Sequence, residues 1–290
     1  MIQSFLIQTL MTGGVYALLA VGFSLIFGVA RMINLAHTAF FMLAAYGMYF
    51  CGYQLGLDPI LSIVVSIVVT TLIAVLCYKI FIDRIREHQV TVLLITIALA
   101  MVFQELMLIA FGAHFREAPT LISGYLEIFG VRITHQHILS LGIVLVVLLI
   151  VWALLLRTKL GIAIRATAQD TEVANLMGIN VSRILLVTMG IASALAAVSG
   201  VVVAPLWVVY PYMWTTPLVM IMAIVTLGGL GSIKGSVVGA FIIAFVETLV
   251  VFLVPAGAFL KLAFALLAMV IILVVRPEGL FGVVFEEERL

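Results

Sequence analysis

The chain has 290 residues, of which 66% are hydrophobic and only 9% charged, and its mean hydropathy is +1.38. A soluble domain carries roughly 45–50% apolar and about 25% charged residues, so the solvent for most of this surface must be lipid. A net charge of +1 gives no basis for nucleic-acid binding, and so short and apolar a chain leaves no room for a soluble nucleotide-binding domain.

Stretches of about 20 mostly apolar residues, the length of a membrane span, fall near 5–29, 36–56, 60–80, 90–112, 138–156, 184–204, 217–231, 236–255 and 259–275. The first has no basic region before it, and Phe5 to Ala30 is far longer than a signal-peptide core, so it reads as a retained span. The seventh is short and ends in glycines. It reads as a complete span or as a broken, re-entrant one, giving eight or nine spans. The expected fold is an all-α integral membrane protein, a polytopic helical bundle forming one domain over 1–290.

Basic residues are retained on the cytoplasmic side. With the N-terminus outside, Arg31, Lys79, Arg84, Arg86, Arg157, Lys159, Arg165, Arg183, Lys234, Arg276 and Arg289 fall inside, and Arg116, Arg132 and Lys261 fall outside. Eleven of the 14 basic residues on one side predict N-out, C-in. Cys51 and Cys77 then lie at opposite faces, so no disulfide is expected.

Along the chain, Asn34 and His37 stand three apart at the start of the second span, with two readings open: Asn34 capping the helix start, or a gate on the transport path. Gln104 and Glu105 in the fourth span and Glu247 in the eighth are polar groups inside the membrane. Such groups face a cavity or a partner, so a buried structural contact and a lining of the translocation path both stand. The outer segment from Ala113 to His137 is too polar to span. Its His135 and His137 have no Cys or acidic neighbour to complete a metal site, so no metal is expected. Pro205, Trp207, Tyr210, Tyr212 and Trp214 cluster at the outer end of the sixth span, as an interfacial belt or a contact for an external protein.

The segment 157–183 is the most polar of the chain. Ala163 to Met177 predicts one helix, ended by Gly178 as a C-cap. Ile162, Ala166, Val173 and Leu176 form a thin apolar stripe, with Arg165, Asp170 and Glu172 on other faces. Such a helix lies on the membrane surface or docks in a partner's groove. Further on, Gly231, Gly235 and Gly239 recur every four residues, as do Gly190/Ala194, Ser193/Ala197 and Ala196/Gly200, a pattern for close helix packing. Ile233 stands before Lys234 where a phosphate-binding loop requires glycine, so the chain itself is expected to bind no ATP. No HExxH, GxSxG or paired intramembrane aspartates appear, which argues against an intramembrane enzyme.

Gly161, Arg165, Ala166, Ala168, Asp170, Ala174, Gly178, Ile179 and Asn180 fit the pattern GxxxRAxAxDxxxAxxxGIN. It resembles the cytoplasmic coupling loop of the branched-chain amino acid permease family of ABC importers, of the smaller, first-permease type. Tyr16-Ala17-Leu18, Ile26-Phe27-Gly28 and Ile33 to His37 resemble that family's first span and following turn. Leu227 to Ile233 with Gly228, Gly229, Gly231 and Gly235 resembles its glycine motif, and Pro277 and Gly279 its ending. The resemblance covers about 13–282. It departs at Thr38-Ala39 after His37, where the family has glycine and an acidic residue, and at Arg84-Ile85-Arg86, where it has Arg-Pro.

The resemblance implies an ABC importer permease fold in a bacterial cytoplasmic (inner) membrane, with no cofactor on this chain. It also implies a second homologous permease subunit, two cytoplasmic ATP-binding subunits that hydrolyse ATP, and a periplasmic substrate-binding protein. Gly161, Arg165, Ala168, Asp170, Glu172, Ala174, Gly178 and Asn180 would then face the ATP-binding subunit. Branched-chain amino acids head the implied substrates, followed by urea and short amides. An ion-coupled secondary transporter stays open as a different class, with Glu105 and Glu247 as its coupling carboxylates.

Overall fold

The computed structural model describes residues 2–128 and 131–282; Arg289, counted above among the inner basic residues, lies outside them. Helix α1 runs Ile2–Ala30, α2 His37–Tyr49, α3 Pro59–Cys77, α4 Gln89–Phe111, α5 His135–Arg157, α6 Lys159–Gln169, α7 Thr171–Leu176, α8 Val181–Val203, α9 Thr215–Gly228, α10 Ile233–Leu253 and α11 Gly257–Val275. Helices α2 and α3 each continue as a five-residue π-helical turn, Phe50–Gln54 and Tyr78–Ile82. Seven of the helices are long and apolar enough to cross a membrane. The all-α expectation needs one amendment. The outer loop carries an antiparallel hairpin, β1 Tyr125–Ile128 against β2 Val131–Thr134, in a stretch that alternates large apolar and polar residues.

Burial is arranged as lipid demands. The inward stripe of α3 is Ser62, Ser66, Thr70 and Ala74, and that of α4 is Val92, Thr96, Ala100 and Gln104. Both step by four residues, one helix face. Their outward faces expose residues such as Leu72 and Leu94. Small and hydroxyl residues pointing in, with large apolar ones pointing out, reverse the soluble pattern and fit helix packing in a hydrocarbon solvent. At the centre stands α2, buried at every position except Gly47 and Tyr49, as expected of a helix apolar all round.

Glycines set the closest approaches. A Cβ on Gly200 of α8 would strike the carbonyl of Phe41 in α2, and one on Gly228 or Gly235 would strike the backbone of the other. Gly239 likewise faces the carbonyl of Ile224. The three glycines expected on one helix face are therefore divided. Gly231 lies in the turn before α10 with φ +80°, because the helix starts only after Ser232, whose side chain accepts from the Gly235 N–H. Gly229, at φ +98°, ends α9. The C-terminal segment closes this turn: the N–H groups of Leu280 and Phe281 donate to the carbonyls of Leu227 and Gly228 at 2.8 and 3.0 Å.

The short seventh span resolves as α9, 14 residues long and so about 21 Å at 1.5 Å per residue, too short for a core of about 30 Å. The loop before it is folded into the protein. Val209, Met213 and Trp214 are buried, and Val209 exchanges two backbone bonds with Arg116 at 2.9 Å each. Buried non-helical backbone of this kind is stable only because protein satisfies its polar groups.

Helix α11 is held differently. Its buried positions are Gly257 and Ala265, and it gains one strong tie: Lys261 Nζ donates to Glu247 Oε1 at 2.7 Å. Tyr16 of α1 donates to the other oxygen, Glu247 Oε2, at 2.9 Å. The carboxylate thus joins three helices.

Two outcomes follow for purified protein in mild detergent. Gly228→Ala and Gly235→Ala should each lower thermal stability by about 1–3 kcal/mol, the cost of overpacking. Gly142→Ala, where nothing lies within 4 Å, should raise it by about 0.5–1 kcal/mol. Lys261→Met should cost about 2–3 kcal/mol, somewhat below the range for a fully buried pair because Lys261 keeps 36% of its side chain exposed. Adding Glu247→Gln should recover most of that loss. Thermal unfolding followed by monodispersity reads all five variants.

Candidate functional site

The 157–183 segment sits at the end of the bundle where α1 finishes, α4 begins and the α9–α10 turn lies. Thr158 accepts from the Gly161 N–H at 3.0 Å and so starts α6. Gly161 is pressed against the carbonyls of Leu154 and Leu155, with no room for a Cβ. Helix α6 buries Gly161, Ile164 and Thr167 against α5, α1 and α8.

The single helix expected over 163–177 is broken at Asp170. That residue is extended, with φ −153° and ψ 116°. Its Oδ1 accepts from the N–H groups of Glu172 and Val173 at 2.8 and 3.0 Å. The carboxylate prefers to cap a new helix, satisfying two otherwise free donors, over continuing the old one. Gly178 follows α7 at φ +84°, and Asn180 caps α8 by accepting from the Arg183 N–H at 3.0 Å.

The break turns the surface outward. Ile162, Val173, Leu176 and Met177 are all exposed, Leu176 at 85% and Met177 at 79%. Of the eight residues singled out here, Gly161 and Ala174 are buried and Ala168 is half-buried. Arg165, Asp170, Glu172, Gly178 and Asn180 are exposed. A groove of about 590 Å³ runs beside them, with Arg165 and Ala168 on one wall and Arg31, Gln89 and Gly231 on others. A second, of about 520 Å³, brings Asp170 and Glu172 to Arg86 and Glu87. Basic residues distant in sequence, Arg31, Arg86 and Arg165, therefore share one end of the bundle. Arg132 lines a groove at the other end with Gln8, His137 and Trp207.

The five polar residues considered for a transport path do not form one constellation. Asn34 and His37 are enclosed. Asn34 Oδ1 accepts from the Ala36 N–H at 3.1 Å, forming the turn ahead of α2, while Ala36 itself holds the N-cap position. His37 donates to the carbonyl of Leu19 at 3.1 Å and fits against Gly22. Gln104 and Glu105, adjacent in sequence, differ in exposure, Gln104 buried and Glu105 exposed, while Gln104 Nε2 donates to Glu105 Oε1 at 3.2 Å. Glu247 has each of its oxygens engaged. Among the described residues, no group of three or more His, Cys, Asp or Glu could hold a metal ion. Both cysteines are unbridged.

Three participants escaped the sequence reading. Lys261 stands five residues after Ala256, and Glu247 seven before Val254, so an α10–α11 hairpin sets them opposite. That mirror spacing was the available signal. Tyr16 stood in the stretch that resembles the family's first span, but nothing in the sequence pointed to Glu247 as its partner. Trp214, read with its neighbours as an interfacial belt or a contact for an external protein, is instead buried, and its indole donates to Gln104 Oε1 at 2.9 Å. Burial in an apolar protein interior obliges that N–H to find a partner.

Known proteins resemble this chain along most of its length. The high-affinity branched-chain amino acid transport permease LivH of Escherichia coli K12 is 27% identical over 291 residues, covering 93% of this chain and 92% of its own. BraD of Pseudomonas aeruginosa is also 27% identical, with 96% and 94% covered. The probable LivH of Methanocaldococcus jannaschii is 26% identical, with 92% and 88% covered. In fold, a chain of PsaBC from Streptococcus pneumoniae, solved with a Fab, superposes with a TM-score of 0.55 over 94% of this chain and 92% of that one, at 16% identity. The family model described as branched-chain amino acid transport system / permease component matches residues 5–275, and this multi-pass membrane protein belongs to that family.

Proposed function

We propose that the chain is the permease subunit of an ATP-binding-cassette importer that carries branched-chain amino acids into the cytoplasm of a bacterial cell. It works with a second permease, two ATP-binding subunits and an external substrate-binding protein. ATP is hydrolysed by those partners, and this chain supplies the path and the coupling surface. The observation that carries this reading is the α6–α7 platform. It is rigidly capped at Thr158, Asp170 and Asn180, yet presents exposed Val173, Leu176 and Met177 to whatever docks there. Large apolar residues at the tip of a capped, polar segment are what a groove-binding helix offers. The family and its relatives' names support the substrate class. The shared end of Arg31, Arg86 and Arg165 supports placing this platform in the cytoplasm, with the N-terminus outside.

Replacing Leu176 and Met177 by Asp leaves the buried side of α6 and α7 untouched, so the chain should still fold and reach the membrane. Co-purification of an ATP-binding subunit with the tagged double variant should fall by at least about tenfold, as loss of 1.4 kcal/mol or more from an interface anchor gives. ATP-dependent leucine uptake should fall with it. Undiminished co-purification and uptake would overturn the docking role. Leucine uptake driven by a proton or sodium gradient without ATP would replace the proposal with a secondary transporter.

A further inference from the structure

Helix α4 is thinly held by its own chain. It buries only Val92, Thr96, Ala100 and Gln104, mainly against α2 and the π-helical turn after α3. Its far side exposes Leu94, Met101, Val102, Leu106 and Ile109, the last at 81%. Glu105 stands exposed in the middle of that apolar face. Glu105 and Glu247 are the acidic residues within the seven long apolar helices. Glu247 is buried and paired, which leaves Glu105 as the exposed one among the described residues.

Lipid is the wrong cover for this face. Glu105 lies six residues before Phe111, about 9 Å from the end of α4 at 1.5 Å per residue. A glutamate side chain is too short to reach the interface from there, and ionisable groups at such depth face protein or a water-filled cavity. Met101, Val102, Leu106 and Ile109 surround it with apolar surface, which suits a protein seam better than a wet one. A single polar anchor within an apolar helix face is also how membrane helices hold one another.

The anchor is already oriented. The Trp214 indole can only donate, and it donates to Gln104 Oε1 at 2.9 Å. That fixes the amide so that Gln104 Nε2 donates to Glu105 Oε1 at 3.2 Å. Glu105 enters this relay as an acceptor, and the residue is otherwise exposed on the outer face of the helix.

We propose that the Glu105 face of α4 is the seam against the second permease subunit, where Glu105 accepts a hydrogen bond or an ion pair from that subunit. This rests on the importer reading above, in which permeases work in pairs. The partner helix is apolar, with one donor or cation at the depth of Glu105.

Site-specific photo-cross-linking in the assembled transporter, in its native membrane, tests the seam. Benzoylphenylalanine at Val102 or at Ile109 should give an adduct with a second permease subunit, identified by mass spectrometry as a second copy or a related chain. The same probe at Leu72 on α3 or Leu149 on α5, both outward-facing, should give none. Glu105→Leu should abolish the Val102 adduct, while Glu105→Gln, which still accepts, should retain it. If a second permease co-purifies but cross-links only from Leu72 or Leu149, or from none of the four, the seam lies elsewhere and the importer reading stands. If the unsubstituted chain brings down neither permease nor ATP-binding subunit, both proposals fall together.

Discussion

Hydrocarbon tails are as apolar as leucine, so nothing in lipid drives two apolar helices together except how closely they fit and which polar groups they share. Close fit is therefore the constraint on which this fold depends. It is met where α8 crosses α2 at Gly200 and Phe41, and where α9 meets α10 at Gly228 and Gly235, backbone against backbone. Because α2 is enclosed on nearly all sides, any added volume at Gly200 must displace a helix that has nowhere to move. The inward stripes of serine, threonine and alanine on α3 and α4 extend the same solution outward.

Shared polar groups supply the second ingredient, and they are few. Ser24 and Ser236 meet between α1 and α10. Tyr16, Glu247 and Lys261 tie α1, α10 and α11. Trp214 and Gln104 tie α4 to the loop ahead of α9. Except for Glu247–Lys261, which spans consecutive helices, each tie joins elements far apart in sequence, and each constrains register as well as proximity. The working end is built by other means. Caps at Thr158, Asp170 and Asn180 set the direction of α6, α7 and α8 without help from lipid, and leave the apolar tip of α7 outside the bundle.

Much of this was legible in the sequence, for identifiable reasons. Long apolar stretches announced the helices, since only a helix satisfies its own backbone in lipid. Gly178 announced the end of α7, because a left-handed residue is needed there. The enclosure of α2 was not legible: lipid-facing and protein-facing leucines have the same hydropathy, so composition cannot tell a central helix from a peripheral one. The break at Asp170 was missed because good helix formers on both sides masked a capping carboxylate. The hairpin was missed because Tyr125 to Thr134 was judged by polarity and not by its alternation. Gln104 and Glu105 were read alike as polar groups inside the membrane; 100° of helical rotation leaves one buried and the other exposed, though a hydrogen bond joins them.

The strap formed by Leu280 and Phe281 over the end of α9 has a consequence for biogenesis. The carbonyls of Leu227 and Gly228 leave the ribosome some fifty residues before the amides that satisfy them. Until α10 and α11 have been made, the glycine turn carries unpaired acceptors at the end of a helix only 14 residues long. A nascent or prematurely terminated chain therefore displays an unfinished α9–α10 hairpin, with every earlier span already made. Closure of the α9 end thus depends on α10 and α11 having been made and on the chain returning to it.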